Sequence, residues 1–227
     1  MSTPILIKAD KQPLYEFFNF IIALWGTYFT YIPLGLDVRK IASISNQTFN
    51  LWTIYCTLCI IKRISGSSSK SLSRWINTTH QITASLSFMI FCFYWPFLSR
   101  ADLLISVMQR PEPLRLGEIY NSVLKHIYLP LNIWFELFSH TFDYDSNYKK
   151  LMINSIIYLV FCLFVSTNIL GVRVYDIFDF FKISGYIYLL LSIALTILGF
   201  YLSFNINKRL KELVKIKENN EKKKKVK

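Results

Sequence analysis

The chain has 227 residues, of which 53% are hydrophobic, 17% aromatic and 18% charged. Soluble domains carry about a quarter charged residues, and apolar runs recur along the whole length, so the composition favours a single integral membrane domain. The net charge is +12, but ten of the 26 basic residues lie in the last twenty positions. This charge belongs to a tail, and the polar segments lack the interleaved aromatic and basic residues of a single-strand nucleic-acid-binding surface.

A membrane-spanning helix needs about 20 mostly apolar residues, and six stretches approach this. The expected fold is therefore an all-α bundle of about six transmembrane helices over residues 1–207. The basic tail, residues 208–227, is expected to begin as a charged continuation of the last helix. The six predicted spans are Leu14–Leu34, Gln47–Ile61, Ile76–Leu98, Ile119–Phe138, Leu151–Leu170 and Ile183–Phe204.

The basic residues predict how the bundle is oriented. Segments on the side of the two termini carry 18 Lys and Arg residues and the opposite loops carry seven. Since cytosolic loops are enriched in basic residues, both termini are expected to be cytosolic. Lys224 and Lys225 stand four and three positions from the end, as in the dilysine retrieval signal of endoplasmic reticulum membrane proteins. That signal would contact coat proteins. The alternative is a solvated run that touches anionic headgroups.

The fourth predicted span contains His126, together with Lys125 and Glu136. Ionisable groups at membrane depth cost roughly 2.5–3.5 kcal/mol each on insertion scales and usually face a protein interior or a wet cavity. A functional site around His126 is therefore the default hypothesis for this chain.

Depth suggests a partner for this histidine. The second and fourth predicted spans both start on the lumenal side, so Thr48 and His126 lie at similar depths and meet if their helices are neighbours. A neutral imidazole that takes the threonine proton would activate its oxygen for attack on an ester carbonyl. The alternatives are a histidine that only hydrogen-bonds across helices and a threonine that caps a helix.

The other polar candidates are expected to be structural. A C-x-x-C that begins at Cys56 lies inside an apolar run, which favours packing. His80 and His140 are predicted to lie in solvated cytosolic segments, without the spacing of a metal site. Lys125 is expected to extend towards the lumenal interface, and Glu136 to be an interfacial or helix-bonding group. Asn50, Tyr120 and Asn121 are the nearby candidates for oxyanion donors.

Several segments, in order along residues 45 to 180, resemble the androgen-induced protein family of multi-pass hydrolases. The motifs are Thr48–Leu51, Phe93–Leu104, His126 with Pro130 and Glu136, then His140 and Tyr144, and Gly171–Tyr175. The resemblance implies cleavage of fatty acid esters of hydroxy fatty acids without a cofactor, with Thr48 as nucleophile and His126 as base. This chain has Val123 where the family usually has a histidine and Ile127 where it usually has a threonine.

The sequence thus predicts an intramembrane hydrolase of lipophilic esters in the endoplasmic reticulum, with catalytic residues Thr48 and His126. No cofactor, metal or nucleic acid is expected, and its partners would be the lipid ester and membrane lipids. The alternative from a different class is a non-catalytic lipid-binding or lipid-organising membrane protein.

Overall fold

The computed structural model describes residues 12–32, 43–66, 68–94, 109, 112, 114–144, 148–165 and 180–225. These residues form an all-helical structure in which no strand occurs, as the composition predicts. Two of the six helical segments contain a wider π turn. The segments are α1 (Gln12–Tyr31), α2 (Ile44–Ser65), α3 (Lys70–Phe93), α4 (Leu114–Val123, a π turn at Leu124–Tyr128, and Leu129–Ser139), α5 (Tyr148–Val160 and a π turn at Phe161–Val165) and α6 (Ile183–Lys225).

The basic, Ser-rich stretch expected to link the second and third spans is mostly helical, so both helices are longer there than predicted. Gly66 ends α2 in the left-handed conformation, with φ of 58°, and its N–H donates to the Arg63 carbonyl. Such a conformation favours glycine because it lacks a Cβ. The Ser69 side chain then caps α3 by accepting the Leu72 N–H, which leaves only a short turn between the helices.

Helix α3 is central, because it packs against α2, α4, α5 and α6. One core lies between α2, α4 and their neighbours, and its largest fully buried side chains include Trp52, Phe49 and Leu129. The Trp134 indole N–H reaches across from α4 to donate to the Ala84 carbonyl at 3.1 Å. The helices that carry the candidate site are therefore fixed through α3.

The polarity of the bundle is inverted relative to a soluble domain. Among the described residues, 22 buried side chains are polar or charged and 22 are hydrophobic. Large apolar side chains meanwhile cover the outside, including those of Phe17, Phe18 and Trp25 on α1 and Ile187 and Leu190 on α6. Exposed apolar surface of this extent usually marks contact with another apolar phase.

By length and composition, one described helix could cross a membrane: Ile183–Asn220, whose most apolar window has a mean hydropathy of 2.1. The other five helices lie where spans were predicted, but they are richer in hydroxyl, amide and aromatic side chains. Helix α3, for example, buries Thr79, Thr83, Ser85 and Ser87. These side chains lower its mean hydropathy, although they face the bundle interior and not its surroundings.

The close approach of α6 to α3 at Gly199 gives a stability prediction. A Cβ at Gly199 would lie 2.5 Å from the Ser85 carbonyl oxygen and 3.1 Å from its Cα. Because these are backbone atoms of a packed helix, Gly199→Ala should destabilise the fold by about 1–3 kcal/mol. Thermal unfolding of the detergent-solubilised protein measures this.

Gly117→Ala is the matched control, since a Cβ there would meet only the Phe29 ring at 3.9 Å. It should leave the unfolding midpoint unchanged or raise it, because alanine is the better helix former. Equal midpoints for the two variants would contradict the close packing of α3 and α6.

Candidate functional site

The His126 ring lies in the π turn of α4 and faces the first turn of α2. Its Nε2 is 3.1 Å from the Ser45 hydroxyl oxygen, and its Nδ1 is 3.0 Å from the backbone carbonyl oxygen of Ser122. π turns inside α-helices occur frequently at functional sites, because they change the direction in which side chains point. Both ring nitrogens of His126 therefore have a defined partner within the protein.

These two partners determine the tautomer of a neutral His126 ring. The carbonyl oxygen of Ser122 can only accept, so Nδ1 must carry the proton and donate it. The Nε2 lone pair is then free to accept the Ser45 hydroxyl proton. This is the arrangement of a nucleophile, a base and a group that orients the base. Here the orienting group is a backbone carbonyl where many hydrolases use a carboxylate.

Tyr94, at the end of α3, supports the imidazole from one face. The two rings stack with centroids 3.6 Å apart and an interplanar angle of 8°. The Tyr94 hydroxyl also lies 3.0 Å from the Ser122 hydroxyl oxygen, which in turn is 3.4 Å from His126 Nδ1. Stacking and hydrogen bonding together restrict the ring to one plane.

The hydroxyl group that hydrogen-bonds to His126 does not belong to Thr48. Its side chain is fully buried, and its hydroxyl donates to the Ile44 carbonyl at 2.9 Å within α2. Ser45 lies one helical turn earlier, on the same face, and holds the position expected for Thr48. The sequence analysis missed Ser45 because it began this helix at Gln47. A start three residues earlier would have placed both hydroxyls on the face towards α4.

Two further expectations about this site need revision. Lys125 was expected to extend to the interface, which is wrong: its side chain is 6% exposed and its ammonium lies 5.9 Å from the centre of the Phe49 ring. Of the suggested oxyanion donors, Asn50 donates to the Tyr31 hydroxyl, and the Asn121 amide oxygen accepts from Thr30. Both amides thus take part in bonds between helices.

A second polar cluster, centred on Glu136 and His80, is buried between α1, α3 and α4. His80 was expected to be solvated, which is wrong, since it is fully buried within α3 and its Nε2 lies 3.5 Å from a Glu136 carboxylate oxygen. His140 is also buried. Glu136 accepts a hydrogen bond from the Asn19 amide of α1 at 3.3 Å. It therefore joins two helices, which is one of its two expected roles.

Neither metal nor redox chemistry gains support from the parts of the chain that the structure describes. In those ranges no group of three or more His, Cys, Asp or Glu side chains could hold a metal ion. None of the four cysteines forms a disulfide. Cys56 belongs to the buried core, with Cys59 packed against it, so the packing interpretation of the C-x-x-C is confirmed.

An open apolar groove of about 360 Å³ runs along the outer side of α4. Its polar members are Tyr128 and Asn132, and both hydrogen-bond to the Asn19 amide oxygen, at 2.8 and 3.0 Å. The residues that line the groove lie close to His126 in the sequence, but the His126 imidazole is not part of the lining. The lining residues are Val123, Ile127, Tyr128, Leu131, Asn132 and Phe135.

Replacing each hydroxyl in turn should show which one the imidazole contacts. Ser45→Ala should shift the Nε2 signal of His126 in the nitrogen NMR spectrum of histidine-labelled protein, because it removes the donor to that atom. Thr48→Val should leave the signal in place, since the Thr48 hydroxyl is bonded to Ile44. A shift with Thr48→Val and none with Ser45→Ala would reverse the pairing.

Of the segments that resemble the androgen-induced protein family, Phe93–Leu104 lies outside the described residues from position 95 onwards. The segment 171–175 lies outside them entirely. No protein-family model, curated protein or solved structure matches this chain. The likeness to the androgen-induced protein family thus stays a prediction from sequence motifs.

Proposed function

We propose that this chain is a multi-pass membrane protein that hydrolyses lipophilic esters, with His126 as the general base. One observation carries the proposal: the His126 Nε2 lies 3.1 Å from the Ser45 hydroxyl oxygen while its Nδ1 is oriented by the Ser122 carbonyl. A hydroxyl, a base and a group that orients the base are the parts that acyl transfer needs.

The inverted polarity of the bundle supports membrane insertion through more than one helix. Apolar side chains face outwards on α1, α4, α5 and α6, while the polar side chains face inwards. In lipid such a distribution would place many apolar side chains against the hydrocarbon and keep many polar groups within the protein. We further propose that both termini are cytosolic and that Lys224 and Lys225 retain the protein in the endoplasmic reticulum.

The proposed reaction proceeds in two steps. The serine or threonine oxygen attacks the ester carbonyl carbon while its proton passes to His126 Nε2. The imidazolium then gives this proton to the departing alkoxide, which leaves an acyl-enzyme. A water molecule then attacks the acyl-enzyme while its proton passes to the same nitrogen, and the imidazolium returns that proton to the serine or threonine oxygen as the fatty acid is released. The Ser122 carbonyl, which accepts from Nδ1, stabilises the ring when it becomes positively charged.

Two residues compete for the role of nucleophile. The geometry favours Ser45, whose hydroxyl contacts the base directly. The family resemblance favours Thr48, whose hydroxyl would have to leave the Ile44 carbonyl before it could act. The two lie on one face of α2, so either would present its oxygen to the same side of the bundle.

The proposed substrates are esters with long acyl chains, such as fatty acid esters of hydroxy fatty acids. An aromatic, apolar exterior suits chains that enter sideways from the bilayer. The groove on α4 offers apolar side chains beside the turn that holds His126. No cofactor is required, because hydroxyl and imidazole supply both nucleophile and proton transfer.

A second candidate, non-catalytic lipid binding, is favoured by the burial of Ser45. Its side chain is 6% exposed, so an ester reaches it only after neighbouring residues move. In this alternative the Ser45–His126 hydrogen bond ties α2 to α4 and contributes about 0.6–2 kcal/mol.

Single substitutions separate catalysis from lipid binding. His126→Ala should reduce ester cleavage by the purified protein on the order of 10²- to 10⁴-fold, the contribution of a general base. Ser45→Ala and Thr48→Ala should differ, with the larger loss identifying the nucleophile, and that variant should also lose labelling by a hydrolase-directed covalent probe.

Gly117→Ala serves as the activity control, because the added methyl group would not contact the His126 imidazole. Unchanged cleavage in folded His126→Ala protein would exclude the hydrolase and leave lipid binding.

Tryptophan fluorescence tests the membrane placement. A variant that retains only Trp25, which is 53% exposed on α1, should be strongly quenched by brominated lipids, whereas one that retains only Trp52, which is fully buried, should be quenched far less. Equal, weak quenching of the two would mean that α1 does not face lipid.

A further inference from the structure

The Glu136 and His80 cluster has a connectivity that the proposed hydrolase does not use. The Tyr144 hydroxyl lies 2.6 Å from His80 Nδ1, and His80 Nε2 lies 3.5 Å from Glu136 Oε2. A hydroxyl, an imidazole and a carboxylate thus follow one another inside the bundle. The Phe142 ring stacks on His80 with centroids 3.8 Å apart and an interplanar angle of 18°, which holds the imidazole in this line.

Electrostatics requires a proton between the imidazole and the carboxylate. Neither Glu136 Oε2 nor His80 Nε2 has another hydrogen-bond partner among the described residues. A carboxylate oxygen facing a nitrogen lone pair would be repelled, so a proton must lie between the two atoms, and with Glu136 ionised it is His80 Nε2 that carries it. The Nδ1 lone pair then accepts the Tyr144 hydroxyl proton, and the cluster has one negative charge.

That charge is buried without full compensation. The Glu136 side chain is nearly fully buried, its other carboxylate oxygen is bonded to the neutral Asn19 amide, and His80 is its ion-pair partner in the described ranges. A buried unpaired carboxylate is costly, and one additional proton on the imidazole would make the cluster neutral. Carboxylates and histidines paired at membrane depth are characteristic of proton relays.

We propose that His80 and Glu136 form a buried proton-binding site that is loaded through Tyr144. In the proton-free state, Tyr144 donates to Nδ1, and Nε2–H donates to Glu136. When a proton binds at Nδ1, the Tyr144 hydroxyl turns and accepts from it, so imidazolium and carboxylate form a neutral pair. The site is separate from His126 and does not depend on the hydrolase proposal.

Tyr144 is next in the chain to an exposed polar residue. The preceding residue, Asp143, has a side chain that is 84% exposed and ion-paired with Lys211 at 2.8 Å. The hydrogen bond from Lys211 lowers the pKa of this carboxyl, so it remains ionised and can accept protons only transiently. Tyr144 therefore follows an exposed, ion-paired residue in the chain, while its own hydroxyl reaches the buried imidazole.

Titratable groups from the surrounding elements face this pair. None of them is a lysine or an arginine, so none gives Glu136 a permanent positive partner. The groups are Tyr15 on α1, Tyr55, Cys56 and Cys59 on α2, Tyr128 on α4, and His140 and Tyr144 after α4.

The protonation state of His80 tests the proposal, and the chain has only three histidines to resolve. The full chain is labelled with ¹⁵N-histidine in detergent micelles, and the His80 signals are followed as the pH is lowered from mildly basic to mildly acidic. In the wild type, Nδ1 should change from unprotonated to protonated as the titration is continued into the acidic range. In Glu136→Gln this transition should be lost over the same range, because no carboxylate neutralises the imidazolium.

Glu16→Gln is the matched control, since Glu16 pairs with Arg63 at the end of α2 and its loss should not change the His80 transition. The proposal is overturned if His80 Nδ1 has the same protonation in wild type and Glu136→Gln, with the His126 and His140 signals showing a retained fold. Should Glu136→Gln not fold, Tyr144→Phe replaces it. This variant keeps the ring and removes the hydroxyl, so an unshifted Nδ1 signal would also overturn the relay.

Discussion

The structure depends on one constraint: polar side chains inside a bundle with an apolar exterior must find partners on neighbouring helices. Leaving such a side chain buried without a partner costs free energy. Asn19 illustrates the result, since it joins α1 to Glu136, Asn132 and Tyr128 of α4. The hydrogen bonds that position the functional groups are therefore the same ones that hold the helices in register.

Two imidazoles use this constraint in different ways. His126 has a backbone carbonyl on one nitrogen and a hydroxyl on the other, an arrangement suited to taking a proton from an alcohol. His80 has a hydroxyl on one nitrogen and a carboxylate near the other, an arrangement suited to holding a proton. Each ring is also stacked on an aromatic side chain, Tyr94 or Phe142. The identity of the partners, more than burial alone, thus distinguishes the proposed base from the proposed proton-binding site.

Sequence patterns predicted the helices well where apolar residues were continuous and less well at their ends. α6 begins at Ile183, as expected, and continues as a helix into the basic tail. The turn between α2 and α3 was missed, because polar residues such as Lys62 and Arg74 suggested a long linker. Helix ends can extend beyond an apolar run wherever caps such as Ser69 and Gly66 are available.

The sequence by itself determined the all-helical class and the inward position of His126, because hydropathy and the cost of buried charge act locally, and it left two roles open for Glu136. Only the tertiary structure decided which atoms meet. Ser45, not Thr48, contacts His126, since the choice depends on the rotation of α2 relative to the π turn of α4. The burial of His80 beside Glu136 likewise depends on how α3 packs against α4, which no single helix encodes.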